Sequence, residues 1–334
     1  MGSVRSGAVF GLALFAAAVA ACSGEPPQRS AVEKDSAGTA APATRAEPLV
    51  PSSAGLDRVG VLALDPARDS LPADPHLAEQ VRLGYQLVRE TKRFAGPYVG
   101  NGLSCGNCHL NAGQKDRALP LVGVAATFPQ YRARDGRLIS LEDRIGDCFE
   151  RSMNGKAPPR DSREMLAISA YIAWLSRGTP MGRDPAWRGQ NRIEEARRLP
   201  IERLDPVRGR QLYQQHCTAC HGADGQGVDL KVARPGPLWG PGSWNDGAGA
   251  ARVYTLAGYL RYAMPLTQPG VLSDEEAQHV AAFIAAQPRP RYAGKARDYP
   301  DGNVPVDAVY YPRYPQNPLT AALQRAASAE PTPQ

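Results

Sequence analysis

The sequence predicts a mainly α-helical chain made of two similar units in tandem, with irregular loops and an extended C-terminal tail. Three observations predict it. The pattern C-x-x-C-H occurs twice, at 105–109 and 217–221. A helical hydrophobic period precedes each occurrence and another closes each unit. Glycine (33) and proline (31) are frequent while aromatics make up 7% of the 334 residues, so loops are extensive and the cores lack large side chains to fill them.

In chain order, residues 1–21 read as an export signal. Arg5 charges its start, and Gly7 to Ala21 is an apolar stretch of small residues, short for a membrane span. Val19-Ala20-Ala21-Cys22 resembles the bacterial lipobox, in which the cysteine is acylated; the alternative is ordinary cleavage beside an incidental cysteine. With Ser23 next, the expected location is the periplasm, lipid-anchored to the outer membrane. Residues 22–50, rich in Pro, Ala and Ser, form a disordered tether. Val59, Val61, Leu62 and Leu64 then offer an extended strap.

The first unit spans 51–182. HLAEQVRLGYQLVRETKRF is its opening helix. Its closing helix starts at Asp161, three before Glu164, with Met165, Ile168, Ile172 and Leu175 as the apolar stripe. A linker, 183–204, leads to the second unit, 205–290. Asp205-Pro206 supplies an N-cap and first turn, and Ser273 with Glu276 supplies a capping box for a helix carrying Ala277, Val280, Ala281 and Ile284. The tail, 291–334, has no helical period; Tyr292, Tyr299, Tyr310, Tyr311 and Tyr314 pack it back as far as about 317, and its end is expected to be disordered.

C-x-x-C-H is the spacing for covalent haem. Two thiols add across the vinyl groups and the adjacent histidine meets the iron from the same side. Composition alone predicts on the order of 0.002 such matches. A zinc site needs no fixed histidine here, and a thioredoxin-like pair needs a βαβ context. Cys105, Cys108 and His109 therefore hold one haem c, and Cys217, Cys220 and His221 a second. Helix, motif, loops, helix is the plan of a class I cytochrome c, so the fold is two such domains in tandem.

The sixth ligands follow from position. Met264, followed by a proline just before the last helix of the second domain, is placed as its distal ligand; core packing is the plainer alternative. Pro237 is expected to orient His221 through its carbonyl. In the first domain Cys148, Met153 and Met165 are candidates. Met165 lies on the apolar stripe, and Met153 lacks a following proline. Cys148 is the cysteine left after Cys22 and the four thioether positions, and it lies where a distal ligand belongs, a buried free thiol being the alternative. His76, His216 and His279 read as ordinary helix or surface residues.

The net charge of +6 is too small and dispersed for nucleic acid, and suits a small anion or an acidic partner. Between 109 and 160, nine basic residues stand against six acidic ones.

CGNCHLNAGQ, ALPLVGV, FPQYRARDGRLISLEDRIGDCFERSMNGK and the DSREM…YIAWLS helix closely resemble the dihaem thiosulfate dehydrogenases. That resemblance is dense from about 95 to 178 and continues to Met264. It implies a His/Cys active-site haem, a His/Met electron-exit haem, and oxidation of two thiosulfates to tetrathionate, which some members run backwards. It makes Cys148 the cysteine ligand, and Arg134, Arg144, Ser152 and Lys156 the substrate-site residues. A soluble c-type cytochrome is the implied acceptor. Many members have a lysine before the distal methionine; Ala263 stands there here, which leaves Met264 as sole ligand. Chemically, two dianions must meet, and arginines are permanently charged forks suited to oxyanions. The expected mechanism is covalent: Cys148 detaches from iron, bonds the outer sulfur of one thiosulfate, and a second displaces it. Two rival readings are a lipid-anchored dihaem electron carrier and a subunit of the multienzyme sulfur-oxidising pathway.

Overall fold

The computed structural model describes residues 64–67, 69–185, 187–230 and 235–329. The expected signal, the tether with Cys22, and Val59, Val61 and Leu62 of the strap lie outside these residues. Leu64 does pack on the first domain: its N–H donates to Gln114 Oε1 and its carbonyl accepts from Gln114 Nε2, both at 2.7 Å.

Two cytochrome c domains are built on one plan. In the first, α1 (Pro75–Arg89) is capped by Asp74, which accepts from the Leu77 N–H at 2.8 Å. It packs against the closing helix α3 (Arg163–Leu175). The two backbones meet at Gly84, where a Cβ would come within 2.0 Å of the Ala167 carbonyl oxygen. Between them lies a short helix, α2 (Leu141–Asp147). In the second domain, α4 (Pro206–His216) is capped by Asp205 and crosses α6 (Asp274–Ala286), with α5 (Val253–Ala263) packed beside α6. Here Gly209 is the crossing point, its hypothetical Cβ 2.0 Å from the His279 carbonyl oxygen. Both crossings require a residue without a side chain.

Several expectations are corrected. The closing helix of the first domain is capped by Ser162, not Asp161: Ser162 Oγ accepts from the Met165 N–H, the N3 position for that cap. Its stripe of Met165, Ile168, Ile172 and Leu175 is buried as expected. Within 183–204, the segment read as the linker, Ile193, Ile201 and Leu204 are buried in the core. Beyond about 317, in the end expected to be disordered, the tail carries a helix, α7 (Pro318–Ala329); residues 330–334 lie outside the described residues. Asn317 Oδ1 accepts from the Leu319 N–H, and buried Leu319 with Leu323 packs on the core beside α6. His279 is buried, its Nδ1 accepting from the Asp205 N–H at 3.0 Å, and so ties α6 to the cap of α4.

A small antiparallel hairpin, β1 (Gln130–Arg132) and β2 (Arg137–Ile139), pairs Arg132 with Arg137 beside its turn. Its turn presents Arg134 to the tail, where the Tyr299 N–H donates to the Arg134 carbonyl at 2.7 Å. The tail tyrosines pack back as expected: Tyr292, Tyr299 and Tyr311 are buried, and Tyr314 donates to the Val306 carbonyl at 2.7 Å.

Candidate functional site

The first haem motif starts on a single turn, Cys105–Asn107. The Cys105 N–H donates to Thr91 Oγ1 at 2.9 Å, and that hydroxyl donates to the Leu87 carbonyl, so α1 fixes the first thiol. His109 Nδ1 lies 2.5 Å from the carbonyl oxygen of Leu119. Leu119 has φ of 52°, and Asn111, Ala112 and Arg117 are also left-handed. Such conformations are costly for side chains with a Cβ and persist where the surroundings impose them. Here they aim a carbonyl at the histidine, which leaves Nε2 as the free ring nitrogen.

Cys148 opens a π-helical turn, Cys148–Ser152, that continues α2. Ser140 and Asp143 cap α2 reciprocally and so fix its register. Arg144, one turn before Cys148, donates from Nη1 to its Sγ at 3.0 Å. Burial pushes the Cys148 thiol up. The Arg144 charge, the His109 side chain and Arg132 outweigh that and hold its pKa at about 6, against the ordinary 9.0. Cys105 and Cys108 are pushed the other way, to about 12 and about 11, by burial and then in part by the Cys148 charge. The structure thus brings Cys148 to His109 and to both thioether cysteines.

Beside this group opens a cleft of about 300 Å³. Arg132, Arg134, Arg144, Arg151 and Ser152 line it from the first domain, Arg252 and Thr255 from the second, and Tyr299 and Asn303 from the tail. Asp147 is the carboxylate on its wall and is paired with Arg132 and Arg151. Burial, and then the neighbouring charges of Arg144 and Arg134, lower the Arg132 pKa to about 10. Arg151 is locked by two 2.7 Å hydrogen bonds to Asp298. Buried Arg134 donates to the Gly247 carbonyl at 2.7 Å and lies over the Tyr299 ring. Among the described residues, Arg134 and Arg144 have no carboxylate within ion-pair distance, so their charge is available to an anion.

Of the residues expected at a substrate site, Arg134, Arg144 and Ser152 line this cleft, and Arg144 also contacts Cys148. Lys156 does not line it: it is exposed, with its ammonium 5.8 Å from the centre of the Tyr98 ring. Arg132 and Arg151 belong to the same cationic segment and could have been singled out from it. Arg252, Tyr299 and Asn303 carried no local signal, because they come from another domain and the tail.

The second motif has a different setting. His221 is half-buried with its Nδ1 shut off from solvent, and desolvation lowers its pKa to about 4 against the pull of the Gly236 carbonyl. Gly236, not Pro237, is therefore the residue whose carbonyl faces it. His221 Nδ1 makes no well-formed hydrogen bond among the described residues. Tyr213, Trp239 and Phe283 form a ring cluster with centroids 5.3–5.6 Å apart that walls the domain. Met264 ends α5, half-buried against the core, and Ala263 is fully buried.

Both motifs fit a covalent haem. Each offers two free thiols and one imidazole, and in the first the histidine is already turned by a carbonyl. Across from His109 the donor is a thiol inside a cationic group; Met264 is the thioether of the second domain.

Residues 91–181 match the model of the SoxA/TsdA cytochrome c domain, and residues 205–284 match that of the cytochrome c oxidase cbb3-type subunit III. The chain is 46% identical over 235 residues to the thiosulfate dehydrogenase of Allochromatium vinosum, covering 68% of this chain and 84% of that one. It is 39% identical over 230 residues to the thiosulfate dehydrogenase of Stutzerimonas stutzeri, covering 68% and 72%. It is similar to the solved thiosulfate dehydrogenase (TsdBA) of Marichromatium purpuratum, at 37% identity and a TM-score of 0.63. That match covers 72% of this chain and 53% of the solved one, so the chain spans about half the length of that protein.

Proposed function

The chain belongs to the dihaem thiosulfate dehydrogenase family, and from that premise we propose that it joins two thiosulfates into tetrathionate in the arginine-lined cleft beside Cys148. It is a c-type cytochrome enzyme with two covalently bound haems c, one in each cytochrome domain. The observation that carries the proposal is a thiol set between the first haem's histidine and a cleft with two arginines free of carboxylates.

The chemistry balances as follows. The Cys148 thiolate and the outer sulfur of one thiosulfate form an S–S bond and give up two electrons. The outer sulfur of a second thiosulfate then attacks the sulfur bonded to Cys148. That breaks the bond to Sγ, returns the thiolate and releases tetrathionate. Arg134 and Arg144 offset the repulsion between the dianions, and Ser152 offers a hydroxyl donor. His109 and Cys148 would hold the iron of the first haem and His221 and Met264 that of the second; the haems would supply one-electron redox capacity, with an external c-type cytochrome as acceptor. The exchange is reversible, so the same site serves tetrathionate reduction.

The test is thiosulfate with ferricyanide or cytochrome c as acceptor and no partner protein. The expected result is one tetrathionate and two reduced acceptors per two thiosulfates. Haems that stay oxidised in thiosulfate would refute it. Export to the periplasm and acylation at Cys22, with anchoring to the outer membrane, complete the proposal. Radiolabelled palmitate appearing on the wild type but not on C22A checks the anchor.

A further inference from the structure

Tetrathionate formation needs two thiosulfates in one cleft at once, and their positions differ. The first must reach Cys148, whose sulfur lies behind the first-domain wall and accepts from Arg144 of that wall at 3.0 Å. The second must approach the sulfur bonded to Cys148 from the side opposite Sγ, because a displacement at sulfur runs in line with the bond that breaks. It therefore stands away from the first-domain wall, towards the wall built by the second domain and the tail. A cleft of about 300 Å³ has room for both five-atom anions, at roughly 30 Å³ for each water-sized body.

On that far wall one cation is held in a particular way. Arg252 directly precedes α5. Its Nε and Nη2 both donate to Asp307 Oδ1, at 3.0 and 2.5 Å. Asp307 is buried, and its other oxygen accepts from the Tyr254 N–H at 3.0 Å. The guanidinium is thus gripped by one edge, and Nη1 has no hydrogen-bond partner among the described residues. Thr255, one turn on and exposed, adds a hydroxyl to the same wall. Arg151, by contrast, has all three nitrogens committed, to Asp147, Asp298 and Gly247.

We propose that Arg252 and Thr255 form the binding site of the second, attacking thiosulfate. The proposal rests on the reading of the cleft as a thiosulfate site and adds a division of labour: the first domain holds the sulfur to be attacked, and the second domain holds the attacker. Arg252 is gripped in advance, so binding it costs little ordering.

The experiment uses the full dihaem enzyme with ferricyanide, following rate against thiosulfate concentration and intact protein mass during turnover. In Arg252→Gln the first S–S bond still forms but its displacement slows. The thiosulfate concentration for half-maximal rate rises by about ten- to hundredfold, as for loss of a charge-assisted hydrogen bond. A Cys148–thiosulfate adduct accumulates that the wild type does not show. Arg252→Lys recovers part of the loss. Thr255→Val, at an exposed position, gives a smaller rise of about twofold to tenfold. Unchanged concentration dependence with no adduct in Arg252→Gln overturns the proposal and leaves the function standing. If Arg252→Gln does not assemble, unchanged kinetics in both Arg252→Lys and Thr255→Val overturn it as well. A wild-type enzyme that consumes no thiosulfate removes the function and this site together.

Discussion

The two haem domains share a scaffold and differ in what surrounds the motif. Each crosses its first and last helices at a glycine, Gly84 against Ala167 and Gly209 against His279. Each carries its C-x-x-C-H motif shortly after the first helix. Around His109, however, stand Cys148, Arg144 and a cleft of arginines, whereas around His221 stand burial and an aromatic cluster. Helix packing fixes where a haem sits. The segment between the motif and the last helix decides what the haem is for. In the first domain that segment is a hairpin, a capped helix and a π turn, the last a device often found at functional sites. In the second its described part includes α5, which ends at Met264.

The sharpest way to break this contrast is Cys148→Gly. If the first site is a reaction centre, thiosulfate oxidation falls by on the order of a thousandfold or more while both haems remain. Pyridine haemochrome and the ferricyanide assay check it; a rate near that of the wild type would make the two domains functionally alike. Next comes Asp298→Ala, which removes two charge-assisted hydrogen bonds from buried Arg151 and leaves Asp147 as its carboxylate partner. The expected loss is about 1.5–3 kcal/mol of stability, read as a shifted denaturant midpoint. A loss below about 1 kcal/mol would mean that the tail does not clamp the first domain.

Met264→Ala tests the other side. The second haem's potential should fall by roughly 0.1 V or more in a spectroelectrochemical titration, with the first haem's couple unmoved. An unshifted second couple would remove Met264 as its ligand. The smallest effects should be a matched pair. Gly84→Ala and Gly209→Ala each push a methyl group into a facing carbonyl, and each should cost about 1–3 kcal/mol in thermal unfolding. Tolerance of one but not the other would show that the scaffolds are not equivalent.

Much of this was legible in the sequence. The motif spacing is covalent chemistry and needs no fold to interpret. The caps Asp205 and Ser273 and the stripe from Met165 to Leu175 are local periodicities, and all three form as read. Asp161 failed as a cap because Ser162 competes for the same donors one residue later. The helix at Pro318–Ala329 had a local signal, Asn317-Pro318 followed by Leu319 and Leu323. It was masked by an alanine-rich stretch whose stability comes from packing beside α6.

The sequence by itself determined the two haem motifs, the leftover cysteine and a cationic segment around it, because those depend on residue identity and short spacing. Only the tertiary structure decided which charges remain available. Nine basic residues in one segment do not reveal that Arg132 and Arg151 are bound to carboxylates while Arg134 and Arg144 are not. Nor do they reveal that Arg252 and Tyr299, from the second domain and the tail, complete the same wall. Charge acts through space, and pairing and burial, which set its effect, exist only once distant segments have been brought together.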